Sequence, residues 1–497
     1  MDKGKRILLV APHGNIPAYW FPLALGYLKS NVKPHHEVRL LDCTLEEMPA
    51  DTLAFKGQLE EFKPDVVGVS TASLTSMEAL NVLRVAKALD PNVVTVIGGS
   101  HPTSYPDAVM RNEFVDFLFR GEADLSFDVF LDQLEGDRNF AVVNGLVYRG
   151  RGGFLQKNEL ENETDIDKIK LPDYHALRLN EYIDRGYNYG GFYGRTAPIW
   201  VTRGCPFKCT FCSAPIINGK KIRAHSVDYI VKWVEHLYYD FNIRQFSIID
   251  DNFTFDMKFA KEFCREIIKL RENGWLKEPV HFATPNGVRM QLLDEELCVL
   301  MKRAGWQGIT IAPESGSLKT LKRMKKSLKP EIVPGRVDMI RKSGLSVRAF
   351  FMVGYPDETP EDVKDTVKLI RKCKLDSLII GRFVPLPGTP IYDELVQLGE
   401  IPPDYVPPQT FALFLPFQKE LRKKMYNPPG FENFNLFWML LREHILLAFR
   451  NPKAILYFVK YYGVSNVIKK LFFLGAKSGE KYGSAYSHSR NEIGHAG

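Results

Sequence analysis

No stretch of about 18 consecutive apolar residues occurs anywhere in the sequence, which excludes an ordinary membrane-spanning helix. No apolar core of a secretion signal follows Met1-Asp2-Lys3-Gly4-Lys5-Arg6, so a cytoplasmic location is expected. Charge of one sign is not in large excess. A net +7 over 497 residues, with a pI near 8.8, is too weak to argue for a nucleic-acid partner. No G-x-G-x-x-G follows the first apolar run, which disfavours a dinucleotide site there. Cysteines number seven, with three gathered together, which suits a reducing compartment better than the disulfide framework of a secreted protein. What remains is ordinary globular composition, 45% hydrophobic and 25% charged, on a chain long enough for two or three domains.

The gathered cysteines lie in Thr202-Arg203-Gly204-Cys205-Pro206-Phe207-Lys208-Cys209-Thr210-Phe211-Cys212, spaced C-x3-C-x2-C after the apolar strand Pro198-Ile199-Trp200-Val201. Three sulfurs are one short of a closed zinc site, and iron–sulfur clusters usually take four. Such a loop either borrows a distant ligand or leaves one metal position open. Zinc with His225 as the extra ligand and a disulfide are the weaker readings. A buried structural role fits Cys43, Cys264, Cys298 and Cys373. It does not fit the triplet, because Gly204, Pro206 and Lys208 mark a turn.

This loop resembles the signature of the radical S-adenosylmethionine (SAM) superfamily, with Phe211 as the aromatic before the last cysteine. The resemblance implies a [4Fe–4S] cluster held by Cys205, Cys209 and Cys212, whose fourth iron takes the amino and carboxylate groups of SAM.

Ahead of the loop, short apolar runs alternate with helical segments: Ile7–Val10, Val38–Asp42, Val66–Ser70, Val93–Ile97 and Val115–Phe119. This pattern predicts an open doubly wound α/β sheet of flavodoxin or Rossmann type, with its ligand beyond the carboxyl ends of the strands. Ser70, Thr71, Ser73, Gly98 and Gly99 gather there and suit the close approach of a broad flat ligand; ordinary turn chemistry is the alternative. The order of pieces is similar to the cobalamin-binding domain of cobalamin-dependent radical SAM enzymes. Those pieces are a proline-rich first loop with Pro22 to Leu28, then Gly98-Gly99-x-His101-Pro102-Thr103, then Gly121-Glu122. The resemblance implies cobalamin contacts from Pro12, Ser70, Thr71, Ser73, Gly98, Gly99, His101, Thr103, Gly121 and Glu122. The D-x-H-x-x-G motif that supplies a cobalt-ligating histidine is absent, and His13 is a poor substitute. Cobalamin without a protein histidine on cobalt is therefore expected, with His101 a hydrogen-bonding or steric residue and cobalt ligation its alternative role.

Beyond the cysteines the alternation resumes with strands at Gln245–Ile249, His281–Thr284, Gly308–Ala312, Ser346–Met352 and Ser377–Ile380. With the cluster strand these make six, the partial (β/α)6 barrel of the radical SAM core. Polar residues at barrel strand ends read as site residues. The resemblance places Asp250, Asp251 and Asn252 at the SAM amino group and Glu314 and Ser315 at ribose and methionine. It places Asn286 and Arg289 at the methionine carboxylate or the substrate, and Gly354 at adenine. Helix capping is the alternative for these positions, evenly balanced for Asp251 and Ser315. Pro385-Leu386-Pro387-Gly388-Thr389-Pro390 also resembles the cobalamin-dependent branch.

The expected division is a cobalamin-binding domain (1–136), a linker with a small hairpin (137–196), the radical SAM core (197–400), an α-helical region (401–476) and a flexible tail (477–497). Basic, aromatic-rich helices at 434–449 and 453–474 read as a cap over the barrel mouth or as peripheral membrane contacts on the inner face. The resemblance implies a C-methyltransferase that uses a 5′-deoxyadenosyl radical and methylcobalamin at an unactivated carbon, with cyclisation or ring rearrangement by the same architecture as the alternative. A non-catalytic corrinoid or iron–sulfur sensor or electron carrier is a third reading. A methylthiotransferase is disfavoured, because Cys43 stands alone where that branch carries a cysteine triad. Expected partners are a small-molecule substrate of lipid or tetrapyrrole class and an electron donor of flavodoxin or ferredoxin type, without nucleic acid.

Overall fold

The computed structural model describes residues 4–14, 21–191, 193–406 and 426–431, with 439, 442, 443 and 445–447 beyond. The helix expected at 453–474 and the tail at 477–497 lie outside these residues, as does most of the helix expected at 434–449.

Near-continuous apolar runs form strands that are covered on both faces, as parallel sheets require. In the N-terminal part these are β1 (Arg6–Ala11), β2 (Glu37–Asp42), β3 (Val66–Ser70), β4 (Val94–Gly98) and β5 (Phe117–Phe119), parallel in the order β2-β1-β3-β4-β5. Helices pack onto the sheet through apolar faces of helical period. The helix Ser76–Leu89 buries Ala79, Val82, Leu83, Val85 and Ala86. The strand order reverses between β1 and β3, and in such sheets the ligand crevice lies outside the carboxyl ends at that reversal.

The expected linker hairpin forms, but as part of this sheet. Strands β6 (Leu146–Arg149) and β7 (Leu155–Lys157) pair antiparallel and extend the sheet past β5 to seven strands. Aromatic packing holds them there: Phe117 lies 4.9 Å from Phe130 and 4.7 Å from Phe140, ring centre to ring centre. The hairpin also covers an edge that would otherwise present unpaired backbone groups.

The second part contains β8 (Thr196–Ile199), β9 (Thr202–Arg203), β10 (Arg223–Ala224), β11 (Gln245–Ile248), β12 (His281–Ala283), β13 (Gly308–Glu314), β14 (Ser346–Val353) and β15 (Ser377–Arg382). Six of these are parallel, in two halves ordered β12-β11-β8 and β13-β14-β15. The halves meet where Val288 bridges to Ile311 and its N–H donates to Thr310 O at 2.8 Å. The stacked rings of Phe282 and Trp306, 4.8 Å apart, fill the space behind β12. Several boundaries differ from expectation by one or two residues, β15 for instance running on to Arg382. The cluster strand ends two residues early, because the Val201 and Thr202 amides turn away to the Asp250 carboxylate. Strand β13 runs two residues further and ends on Glu314, with an irregular register after Ile311.

The carboxyl ends of the two sheets face each other. The helix Ser100–Ser104, which follows β4, packs against Ala214–Ile217, which follows the cysteine loop. Gly388, beyond β15, sits so close to Ser104 that a Cβ on it would fall 2.9 Å from Ser104 O. Behind these contacts one apolar core is continuous, passing from Leu9 through Tyr27 and Trp233 into the barrel.

Gly99 fixes the approach of β3 to β4. Its φ is +104°, and a Cβ would lie 2.4 Å from Thr71 O, which is backbone and has no rotamer to yield. Gly99→Ala is expected to cost about 2 kcal/mol or more, from left-handed strain and overlap together. A urea titration followed by far-UV dichroism checks this, and an unchanged midpoint would contradict it.

Candidate functional site

The cysteine loop begins where Asp250, at the end of β11, pulls the chain out of β8. Its carboxylate accepts from Val201 N at 2.8 Å, Thr202 N at 2.8 Å and Thr202 Oγ1 at 2.7 Å. Burial pushes this carboxyl up to about 8 against the pull of those donors. Both oxygens of Asp250 are thus spent on shaping the loop. Gly204 turns at φ +95°, where a Cβ would meet Lys221 O at 2.3 Å, and Cys205 N donates to Gly219 O at 3.0 Å. Thr210 is the central staple. Its N–H donates to Met324 O at 3.0 Å, its O accepts from Ile391 N at 3.1 Å, and its Oγ1 lies 2.6 Å from Tyr355 Oη. Cys205, Cys209 and Cys212 are half-buried on this clamped turn.

Burial pushes the Cys205 thiol up and the Cys212 thiol up to about 12, so a bound metal would have to displace their protons. Cys209 takes a hydrogen bond from Arg289 Nη2 at 3.0 Å. That guanidinium also stacks on Phe207, 3.4 Å from the ring centre, and donates to Lys326 O at 2.8 Å. Arg289, expected at the methionine carboxylate or the substrate, is placed against Cys209 and Phe207. Lys326 was not expected: its ammonium pairs with Glu314 at 2.7 Å, both side chains are buried, and it lies 5.8 Å from the Phe211 ring. Glu314 holds φ +68°, a strained value for a residue with a side chain and a feature found at functional sites.

The other strand-end residues divide by partner. Asp251 accepts from Asn218 Nδ2 at 2.9 Å, and burial raises its carboxyl. It does not cap the following helix, whose N-cap is Asp256. Asn252 is 2% exposed, and both atoms of its amide lack a partner. Orphaned buried amides are rare in folded proteins, and a polar ligand beside Asp251 would satisfy this one. Asn286 accepts from Tyr189 Oη at 2.6 Å and donates to Ile249 O at 2.7 Å, tying the ends of β11 and β12 together. Ser315 is fully buried and bonded to Thr366 Oγ1 at 3.1 Å, while Ser317 takes the capping role. Gly354 turns at φ +80°, and its N–H donates to Glu358 Oε2 at 2.6 Å. Burial pushes the Glu358 carboxyl up to about 7.

At the first sheet, Thr71 N donates to Gly98 O at 3.0 Å, locking the β3 and β4 loops together. Ser73 Oγ and His101 Nδ1 lie 3.1 Å apart. Burial pushes His101 down to about 4, so it stays neutral. Thr103 Oγ1 donates to Gly99 O at 2.7 Å and accepts from Gly121 N at 2.9 Å. Pro12 O accepts from Thr44 Oγ1 at 3.2 Å. Small residues, hydroxyls and a neutral imidazole thus share one edge, which fits a broad ligand. Glu122 departs from that group: its carboxylate goes to Arg203 and Arg223 of the second part. Those arginines have no spacing signature that would have revealed the pairing.

Zinc finds less support. His225 is taken by Asp167 at 2.9 Å and stacks on Tyr229. A described group that converges is His35, His36 and Glu135, and there His36 Nδ1 already accepts from Lys5 N at 3.0 Å.

Two family models match the chain: B12 binding domain over residues 11–131 and Radical SAM superfamily over residues 199–370. An uncharacterized methyltransferase of Pyrococcus horikoshii is 29% identical over 75% of this chain and 78% of its own length. Cytidylyl-2-hydroxyethylphosphonate methyltransferase of Streptomyces wedmorensis is 29% identical over 80% of this chain and 83% of its own. Anaerobic magnesium-protoporphyrin IX monomethyl ester cyclase of Rubrivivax gelatinosus is 28% identical over 80% and 71%. The fold is shared with the radical SAM methyltransferase TsrM of Kitasatospora setae, solved with tryptophan and a SAM analogue. Its TM-score is 0.68 at 19% identity, over 89% of each chain.

Thr210→Val keeps all three thiols but removes the hydroxyl from the buried Tyr355 Oη, at a cost of about 1–3 kcal/mol. After anaerobic loading with iron and sulfide, the variant is expected to lose iron to a chelator about tenfold faster than the parent. Equal rates would remove Thr210 as the staple.

Proposed function

We propose that this chain, which belongs to the cobalamin-dependent radical SAM enzymes by its joined B12 binding and radical SAM domains, is a C-methyltransferase acting on a small molecule. The observation that supports this most is the meeting of the two strand ends, where the helix that carries His101 packs against the helix that follows the Cys205–Cys212 loop. One substrate carbon could be reached from both sides. When bound, SAM on the reduced cluster supplies a 5′-deoxyadenosyl radical and methylcobalamin supplies a methyl group.

The chain's own residues have separable tasks in this reading. Cys205, Cys209 and Cys212 hold the cluster, and Arg289 places a positive charge against Cys209. Hydrogen bonds to cluster sulfurs help set reduction potential. Asp251 and the orphaned amide of Asn252 offer an acceptor and a donor to the amino-acid part of SAM. Glu314 with Lys326, and the turn at Gly354, flank the ribose and adenine. Asp250, Asn286 and Ser315 position these loops from behind. His101, neutral and bonded to Ser73, offers the corrin edge a hydrogen-bonding group. Residues 426–431 lie over the barrel end, with Pro428 at 3.8 Å from the place of a Gly354 Cβ, and help keep water out.

A reduced flavodoxin- or ferredoxin-type protein would supply electrons. Peripheral contact with the inner face of a membrane rests on the basic composition of residues 434–474 alone; among the described residues no helix is long and apolar enough to cross a membrane. Within the proposed division at residues 136, 196, 400 and 476, the hairpin Leu146–Lys157 works with the first sheet.

The likeness to the Rubrivivax cyclase makes cyclisation the competing chemistry. Incubation of the reduced, cobalamin-loaded enzyme with SAM labelled in its methyl group separates the two. Transfer of label to the bound corrin is expected. Formation of 5′-deoxyadenosine with an unlabelled corrin would favour cyclisation or rearrangement.

A further inference from the structure

A buried cluster of four charges joins the two cofactor-bearing parts. Arg203 immediately precedes the Gly204–Cys205 turn, and its side chain is 0% exposed. It donates to Asp124 Oδ2 at 2.7 Å and to Glu122 Oε2 at 3.2 Å. Glu122 in turn accepts a fork from Arg223, at 2.5 Å on Oε1 and 2.8 Å on Oε2. The side chains of Arg223, Glu122 and Asp124 are 2%, 10% and 11% exposed. Arg203 also lies over Trp200 at 4.4 Å and Tyr27 at 5.0 Å from the ring centres, so it is gripped by rings of both parts.

The chain of contacts runs without a gap between the two sites. On one side Gly99 O, Thr103 Oγ1 and Gly121 N are linked in sequence, and Glu122 is the next residue. On the other side Arg203 leads by covalent bonds to Cys205. Arg223 donates to Asn218 O at 2.7 Å, and Asn218 Nδ2 donates to Asp251 at 2.9 Å.

We propose that Glu122 and Asp124, with Arg203 and Arg223, are positioning residues that set the corrin edge at a fixed distance and angle from the cysteine loop. The proposal rests on the reading that both cofactors are bound. Two positive and two negative groups cancel inside the cluster. Buried ion pairs contribute little net stability compared with an apolar contact of the same size. Their distinctive property is geometry, because a guanidinium fork meets a carboxylate in one orientation. An apolar interface could slide, and these forks cannot. A substrate carbon served from two sides needs that register, since small misplacements of reacting groups are costly.

The test uses the full chain, loaded anaerobically with iron, sulfide and cobalamin, as parent and as Glu122→Gln. Iron and cobalt are counted in each sample, and the interaction between the reduced cluster and cob(II)alamin is read from the relaxation of the cobalt EPR signal. Both cofactors are expected in the variant, with the single relaxation behaviour of the parent replaced by a shifted and broadened one. Both cofactors present with an unchanged interaction would overturn the proposal. A role in stability alone would lower cofactor content and leave the interaction of the loaded fraction unmoved, which also overturns it. Should Glu122→Gln hold neither cofactor, Asp124→Asn removes a single partner of Arg203 and is read by the same criteria. Arg203→Lys keeps the charge and loses the fork, and it is expected to broaden the signal as well. A parent that binds iron but no cobalt would overturn the two-cofactor reading itself, and the proposal with it.

Discussion

A parallel strand delivers the loop that follows it to one end of its sheet, and here two sheets are packed so that those ends face each other. Every other feature of the molecule depends on that constraint. Loops from β3, β4 and β5 lie at one carboxyl edge and loops from the barrel strands at the other, and the two edges meet where Ser100–Ser104 packs against Ala214–Ile217. One face of the first sheet shares an apolar core with the barrel through Tyr27 and Trp233, while its other face packs in a core of its own. Polar groups near the facing edges, from Gly99 to Asp251, then fix finer distances that apolar packing leaves free.

The cysteine loop shows how a turn that presents three thiols is shaped by residues outside the triplet. Asp250 bends the chain out of β8, Gly204 takes the left-handed turn, and Thr210 pins the middle of the loop to Met324, Tyr355 and Ile391. Arg289 adds charge at Cys209, and Lys326 with Glu314 forms a second buried pair beside Phe211. These contacts come from nearly every strand of the barrel. Their number is consistent with a loop that must present three thiols before any metal is there to organise them.

Much of this was legible in the residues. The apolar runs were the right length and spacing for buried parallel strands, and the barrel strands appear in the expected order. The C-x3-C-x2-C spacing located the loop, and Arg289, Asp251 and Asn252 do gather near it. What could not be read was which polar side chain faces a ligand and which faces another residue. Asp250 and Asp251 are neighbours in sequence, yet one shapes the backbone and the other borders the site. Ser315 looked like a ligand or a cap and is spent on Thr366 across 51 positions. Glu122 looked like part of the corrin edge and meets Arg223 across 101 positions. Pairings of that range leave no local period or spacing, which is also why Lys326 and Arg203 went unnoticed. The hairpin Leu146–Lys157 was visible as a hairpin, but its attachment to β5 depended on Phe117, Phe130 and Phe140 meeting in space.

The central claim is that one chain holds two cofactors on facing edges. Metal analysis of the full chain, purified without oxygen after supply of iron, sulfide and cobalamin, tests it most directly. About four irons and one cobalt per chain are predicted, from one four-iron cluster and one corrin. Iron at that level without cobalt would contradict it, leaving the barrel's chemistry intact and the first sheet with some other task.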